Sequence, residues 1–265
     1  MKTSALALAA GISLLLLGAV GTSSAADHFS PGYLKPSDLP DTSLILPPPP
    51  AEGSAAQQSD WDVFNQTRKL QNTARWDQAR ADNEITVEAL AGAFSCALGV
   101  HVDVDHTPAT FHLLSRIRTD LGMSTSRTKA LYQRKRPFIG HDQPTCITPT
   151  PDLANNGSYP SGHSAVGWGF GLVLAELAPD HASALISRGK AYGDSRVVCG
   201  VHFASDVAEG RMAASAVIPA LHANAEFNTD LAKARTELAA LKDKPDTAPF
   251  PGQCAGQGEL ARRPW

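Results

Sequence analysis

From Ser54 onward apolar residues recur at helical spacing, and no run alternates as a half-buried strand would. Trp61, Phe64, Leu70 and Trp76 mark one or two amphipathic helices, and Ile85 to Leu98 reads as a helix rich in Ala and Leu. Thr107 to Leu121 and Thr125 to Lys135 read as two more, separated near Gly122, with Pro137 stopping the second. Ser161 opens a long apolar helix reaching about Leu177. Gly167, Gly169 and Gly171 inside it cost helix stability unless another backbone packs closely there. Pro179-Asp180 starts a helix to about Val198, and Ala204 to Ala223, containing Pro219, and Glu226 to Leu241 complete the set. Residues 138–160 read as a loop rich in Pro, Asn and Gly. Residues 27–52 carry Pro31, Pro36, Pro40 and the run Pro47 to Pro50, so they read as an extended, polyproline-like arm without helix, either wrapped over the domain or leading into it. Residues 242–265 read as an irregular tail that Cys254 could pin down. With no internal repeat, the expectation is an all-α, single-domain helical bundle over residues 53–241 with an irregular N-terminal arm.

Residues 1–26 have the pattern of a signal peptide: Lys2, an apolar stretch from Ala5 to Val20, then Ser24-Ala25-Ala26. The stretch is short for a bilayer span and no basic stop-transfer cluster follows it. Cleavage after Ala26, or else Ala25, gives a periplasmic or secreted protein with no membrane anchor. Hydrophobic residues make up 43% of the 265 residues, enough for a sizeable core. Lys+Arg 23 against Asp+Glu 26 leaves a net charge of −3, which removes the electrostatic case for a nucleic-acid partner. Cys96, Cys146, Cys199 and Cys254 form an even set, which in an exported chain points to disulfides. Spacing leaves all three pairings open, and without a Cys-x-x-Cys pair it does not point to zinc.

Three clusters carry chemistry. In the first, Lys129 and Arg136 are seven apart, nearly two helical turns, which places two cations on one face of a helix and suits a phosphate. A basic run by itself is more often a solvated face. In the second, Gly157-Ser158-Tyr159-Pro160-Ser161-Gly162-His163, Ser161 can cap the next helix, whose first N–H groups then converge on an anion. Gly162 keeps a side chain out of the way, and His163 in the first turn is placed to protonate a leaving group. Ser161 as the nucleophile of a serine hydrolase is the weaker reading, because the Gly-x-Ser-x-Gly elbow is absent. In the third, Arg196 precedes His202, and Asp206 follows four residues later. The carboxylate can fix the imidazole tautomer and free the other nitrogen to attack. For Arg196 and His202 to reach one phosphate the chain must bend, and Gly200 is the place. His101, Asp103, Asp105 and His106 read as a polar loop rather than a metal patch.

Together and in this order, the clusters resemble the signature of the type 2 phosphatidic acid phosphatase superfamily, which includes the vanadium-dependent haloperoxidases. The arm from Pro31 to Asp41 and the stretch Gly157 to His163 followed by Gly167-Trp168 are similar to the bacterial class A non-specific acid phosphatases. Ser164 stands where that pattern has Thr, so a hydroxyl is kept. The resemblance implies that Lys129, Arg136 and Arg196 bind phosphoryl oxygens, with Ser161 and Gly162 adding hydrogen bonds. It implies His163 as general acid, His202 as the nucleophile that becomes phosphohistidine, and Asp206 as its orienter. It also implies an acidic pH optimum and a homodimer. Positive side chains take the part metal ions play in other phosphatases, so no metal or cofactor is expected. Because Cys146 and Cys199 flank segments that must converge on one phosphate, they are expected to pair, leaving Cys96 with Cys254 to fasten the tail.

The function expected is an exported, metal-independent acid phosphatase acting on small soluble phosphomonoesters. Its rivals are a lipid-phosphate phosphatase, disfavoured by the lack of spanning helices, and a vanadate-dependent haloperoxidase on the same anion site. A periplasmic phosphate-binding protein would need the cations but gain nothing from His202 with Asp206.

Overall fold

The computed structural model describes residues 30–242, 244, 248–249 and 254–262, so the expected signal peptide and its cleavage point lie outside the described residues. Helices account for the regular structure, with no strand among the described residues. In chain order they are α1 Thr42–Ile45, α2 Ala55–Arg68, α3 Ala74–Ala81, α4 Val87–Gly92, α5 Ser95–Leu98, α6 Pro108–Met123, α7 Ser126–Tyr132, α8 Pro151–Asn155, α9 Gly162–Leu177, α10 Ala182–Val198, α11 Ala204–His222, α12 Ala225–Leu241 and α13 Gln257–Arg262. A 3₁₀ turn, Pro179–His181, precedes α10. Several starts are capped by the hydroxyl just before them: Ser54 accepts from Gln57 N–H, Thr73 from Trp76, Thr86 from Ala89 and Ser161 from Ser164. Each such cap satisfies a donor that the helix start leaves open and contributes about 1 kcal/mol.

The apolar helix α9 is the centre of the bundle, packed against α10, α11 and α6. Of its glycines, Gly171 meets the backbone neighbour that the spacing requires, while Gly167 and Gly169 make room for the Tyr192 and Leu121 side chains. A Cβ on Gly171 would lie 3.0 Å from Leu185 O and 3.3 Å from Gly189 Cα, and one on Gly189 would lie 2.7 Å from Gly167 O. The α9 and α10 backbones therefore touch, a contact only glycine permits. Around this axis Leu113, Leu114, Ile117, Phe170, Leu174 and Phe227 are fully buried. Each such side chain contributes about 1.5–3 kcal/mol through removal from water. A smaller cluster of Trp76, Val198 and Val201 surrounds the Cys146–Cys199 bridge.

The arm is ordered and wraps over the bundle. Tyr33 N–H and Leu34 N–H donate to the Asp120 carboxylate at 2.8 and 3.1 Å, and Tyr33 hydroxyl donates to Asp230 at 3.0 Å. Five expectations need correction, the first in the loop expected over residues 138–160, where Pro151–Asn155 form α8 with Thr150 accepting from Leu153 N–H. The arm does contain a helix: Asp41 caps α1 by accepting from Ser43 N–H, over the proline-free stretch between Pro40 and Pro47. The expected Ile85–Leu98 helix is two short ones, because Thr86 caps α4 and the Ala93 carbonyl turns to accept from Arg188 Nε at 3.0 Å. Helix α7 stops at Tyr132, before Pro137, because Gln133 is left-handed with φ 45°. The tail is not wholly irregular: Cys254 bonds to Cys96, and α13 then packs on α10 with Ala261 buried. The expected Cys146–Cys199 bridge is also present.

Candidate active site

Six of the eight site residues named from sequence line one cleft of about 560 Å³: Lys129, Arg136, Gly162, His163, Arg196 and His202. Its deep end is cationic, with Arg136, Arg196 and His202 all at most 4% exposed. Its mouth carries the half-exposed apolar side chains of Ile85 and Met123. Ser161 and Asp206 are fully buried behind this surface.

Lys129 and Arg136 converge, but not as one helical face. Lys129 sits on α7, whereas Arg136 follows the left-handed break at Gln133 in a non-helical segment. In that segment Arg134 and Arg136 turn inward while Lys135 between them is exposed. Lys129 Nζ donates to Gly157 O at 2.6 Å, which draws the cation over the loop before α9. Burial, reinforced by Arg136 and Arg196, pushes the Lys129 amine down to about 7. Burial likewise brings the guanidinium groups of Arg136, beside Arg196, and of Arg196 itself down to about 10. Like charges held this close out of water need an anion between them. Arg196 Nε is buried and, among the described residues, has no hydrogen-bond partner. It is a donor left over for an oxyanion.

The start of α9 faces the same cleft. Ser161 uses Oγ and its carbonyl on the N–H groups of Ser164 and Ala165, leaving the Gly162 and His163 N–H groups as the helix's first donors. The nearest atom a Cβ on Gly162 would meet is Thr125 Oγ1, at 3.6 Å. Packing does not demand glycine here, and the space it leaves belongs to the cleft. His163 stacks on Tyr192 and its Nε2–H donates to Asn83 O at 3.1 Å, so any proton given to a ligand comes from Nδ1.

The third cluster closes the site as the sequence required. Helix α10 ends at Val198, and Gly200, with φ 81°, reverses the chain so that Arg196 and His202 meet in the cleft. A Cβ there would lie 2.4 Å from Arg68 Nη1, a guanidinium that also donates to Val197 O and Val198 O. His202 precedes α11 rather than lying on it. Arg136 Nη1 donates to His202 Nε2 at 3.0 Å. An arginine N–H can only donate, so Nε2 carries the lone pair and the ring proton is on Nδ1. That proton faces Asp206 Oδ2 at 3.4 Å and Ser158 Oγ at 3.3 Å. Asp206 Oδ2 also accepts from Ser158 Oγ at 2.5 Å and Phe203 N–H at 2.8 Å. Burial and then Arg136, Lys129 and Arg196 hold His202 well below the ordinary imidazole value. Burial and then Arg196 do the same to His163. The protein's own groups thus depress both imidazoles rather than splitting them.

Three contributors were not singled out from sequence. Asn83, in the α3–α4 turn, accepts from Arg196 Nη1 at 2.9 Å through its side chain and from His163 through its carbonyl. Ser158 lies within the second motif, and Arg134 two residues before Arg136 donates to Asp206 Oδ1 at 2.6 Å. Position within a motif was the signal available for Ser158 and Arg134; Asn83 had none. The His101–His106 segment is a loop, in which Asp103 accepts from the N–H groups of Asp105 and His106. Among the described residues no group of three or more His, Cys, Asp or Glu could hold a metal ion.

Comparison with known proteins agrees with this geometry. The sequence model of the PAP2 superfamily matches residues 109–230, which hold all eight site residues. The chain is 41% identical over 209 residues to an acid phosphatase of Zymomonas mobilis subsp. mobilis, covering 78% of this chain and 79% of that one. It is 41% identical to a non-specific acid phosphatase of Providencia stuartii (79% of this chain, 86% of the other) and 36% identical to one of Salmonella typhimurium (78% and 83%). A chain this similar over this length, with the three clusters gathered on one buried cationic cleft, belongs to the PAP2 superfamily, in the branch of its non-specific acid phosphatases.

Proposed function

We propose that this protein is an exported acid phosphatase that hydrolyses small phosphomonoesters through a phosphohistidine on His202. The observation that carries the reading is the His202 tautomer: Arg136 donates to Nε2, so the ring proton is on the Asp206 side and the lone pair is in the cleft. A phosphoryl group seated among Lys129, Arg136, Arg196 and the first N–H groups of α9 has its equatorial oxygens matched by fixed positive charge. Its oxygens take over the Arg136 N–H and release Nε2. Nε2 then forms the N–P bond as the bond to the leaving oxygen breaks, and His163 Nδ1–H supplies the proton that oxygen needs. Water attacks phosphorus in the second half, returning a proton to His163 and the electron pair to Nε2, and phosphate leaves.

The depressed imidazoles give the pH logic. His202 stays neutral in acid, as a nucleophile must. The double negative charge of a bound phosphoryl group raises His163, the imidazole closer to the leaving group, so splitting the two falls to the substrate. The three side-chain cations supply the charge stabilisation, so activity is expected to persist in EDTA. The signal-peptide pattern of residues 1–26 supports export, and among the described residues no helix is long and apolar enough to cross a membrane.

The test is chemical trapping. Denaturing a turning-over sample in alkali should recover label on His202 that acid then releases, and added glycerol should divert phosphate to glycerol phosphate. Acid-stable label on Ser161, or activity that chelators remove reversibly, would overturn the mechanism.

A further inference from the structure

Behind Asp206 a single guanidinium joins two buried carboxylates. Arg134 Nη1 donates to Asp206 Oδ1 at 2.6 Å and Ser205 Oγ at 2.8 Å, while Nη2 donates to Asp60 Oδ2 at 2.8 Å and Gln57 Oε1 at 2.7 Å. Its side chain is 7% exposed, Asp60 is 4% and Asp206 0%. The guanidinium lies 4.3 Å from the Phe203 ring centroid. Asp60 also takes the Ser205 N–H at 2.9 Å and the Ser205 hydroxyl at 2.5 Å. Arg134 therefore ties α2 to the first turn of α11, and it is not among the residues that line the cleft.

A carboxylate can rotate and offer either oxygen to an imidazole. With Oδ1 held by Arg134, only Oδ2 is left for the Nδ1–H of His202, Ser158 Oγ and Phe203 N–H. Charge works in the same direction. A carboxylate beside an imidazole favours the imidazolium, which has no lone pair with which to attack. The charges facing His202 are Arg136 from the α7–α8 segment, Lys129 from α7, Arg196 from α10 and Asp206 from α11, with His163 on α9. Asp206 faces Arg134, and beyond it stands Asp60 on α2. Of these cations Arg134 is the one bonded directly to the Asp206 carboxylate.

We infer that Arg134 is a positioning residue for phosphoryl transfer, holding Asp206 in the rotation and charge balance that keep His202 neutral, singly tautomeric and aimed into the cleft. The inference rests on the reading of His202 as nucleophile. It assigns Arg134 an effect on kcat rather than on substrate binding, because the phosphate cradle does not include it.

The experiment compares wild type, Arg134→Met and Arg134→Lys, each with and without Asp206→Asn, with p-nitrophenyl phosphate as substrate. Arg134→Met should lower kcat about ten- to a hundredfold with KM within about threefold of wild type. The acid limb of its kcat/KM profile should move to higher pH, since His202 then faces an unbalanced carboxylate. Arg134→Lys, which keeps the charge but reaches one carboxylate at a time, should return the limb towards its wild-type position and recover part of kcat. In the Asp206→Asn background Arg134→Met should change kcat by less than about twofold. Equal losses in both backgrounds, or an unmoved acid limb in a folded Arg134→Met protein, would overturn the inference. If Arg134→Met does not fold, Arg134→Lys and Asp60→Asn decide: lower kcat at unchanged KM in both supports the assignment, and wild-type kcat in either rejects it. Trapping on wild type comes first. Absence of His202 label rejects the functional reading and this inference with it, whereas label on His202 with indifferent Arg134 variants rejects the inference alone.

Discussion

Arg136 Nη1 donates to His202 Nε2 at 3.0 Å, so the cation proposed to bind phosphate and the nitrogen proposed to attack it are hydrogen-bonded to each other. On that proposal Nε2 must be released from this bond before it can attack. Arg136 is also the largest charge contribution, after burial, to the depression of His202. Arg136→Lys removes the planar fork that can hold two phosphoryl oxygens while keeping a charge. It should raise KM about tenfold or more, and Arg136→Met further still. Losing the charge raises the His202 pKa, and a base is inactive below its pKa. The acid limb of kcat/KM should therefore move up in pH in Arg136→Met, and less in Arg136→Lys. Initial rates across buffers check both.

Asn83 separates the roles of Arg196 and His163, because it holds the first by its side chain and the second by its carbonyl. Asn83→Ala should weaken only the hold on Arg196. KM should rise about three- to tenfold, while the sensitivity of kcat to leaving-group basicity stays as in wild type. His163→Ala should do the reverse: hydrolysis of alkyl phosphates falls about a hundredfold or more, and p-nitrophenyl phosphate, whose leaving group needs little proton, loses far less. A Brønsted plot across a phosphoester series distinguishes the two.

Lys129, at about 7, is largely neutral in mildly alkaline buffer. A phosphate dianion beside it favours the ammonium form. Inorganic phosphate binding at pH ~8 should therefore take up protons, approaching one per site. Calorimetry in buffers of different ionisation enthalpy reads the number, and Lys129→Met should remove most of it.

The bridge Cys146–Cys199 closes a loop of sequence separation 53, and Cys199 caps the helix that carries Arg196. Replacing both cysteines by Ser should lower stability by about 4 kcal/mol on the loop-entropy account. It should also lower kcat/KM, because Cys146 N–H donates to Cys199 O beside the reversal at Gly200. Removing Cys96–Cys254 should cost stability with little effect on kcat/KM, since that bridge ties the tail to α5 and neither cysteine lines the cleft. Thermal melts and rates on the two double variants test the contrast.

Some features were legible because their causes are local. Gly171 in α9 announced a close backbone neighbour, and Gly200 announced the bend between Arg196 and His202. Lys129 and Arg136 do line one cleft, but not on one helical face, since the helix expected to carry both stops at Tyr132. The left-handed Gln133 behind that stop carries no glycine signal. Arg134, Asn83 and Asp60 were not legible as parts of the site. Arg134 meets Asp60 across 74 positions and Asp206 across 72, and Asn83 meets Arg196 across 113.

By itself, then, the sequence determined the helical class, the long helices α9 to α12, the Ser161 cap and the residue types of the three clusters. Periodicity and capping act between residues a few positions apart, so the information is complete within a short window. Tertiary structure alone decided that Arg136 reaches Nε2 of His202, that Asn83 holds Arg196, and that Arg134 stands between two buried carboxylates. Those contacts form only when α2, α10 and α11 and the segments joining α3 to α4 and α7 to α8 pack around α9. Buried charge then has no water to turn to and must take whichever partner the packing brings within reach.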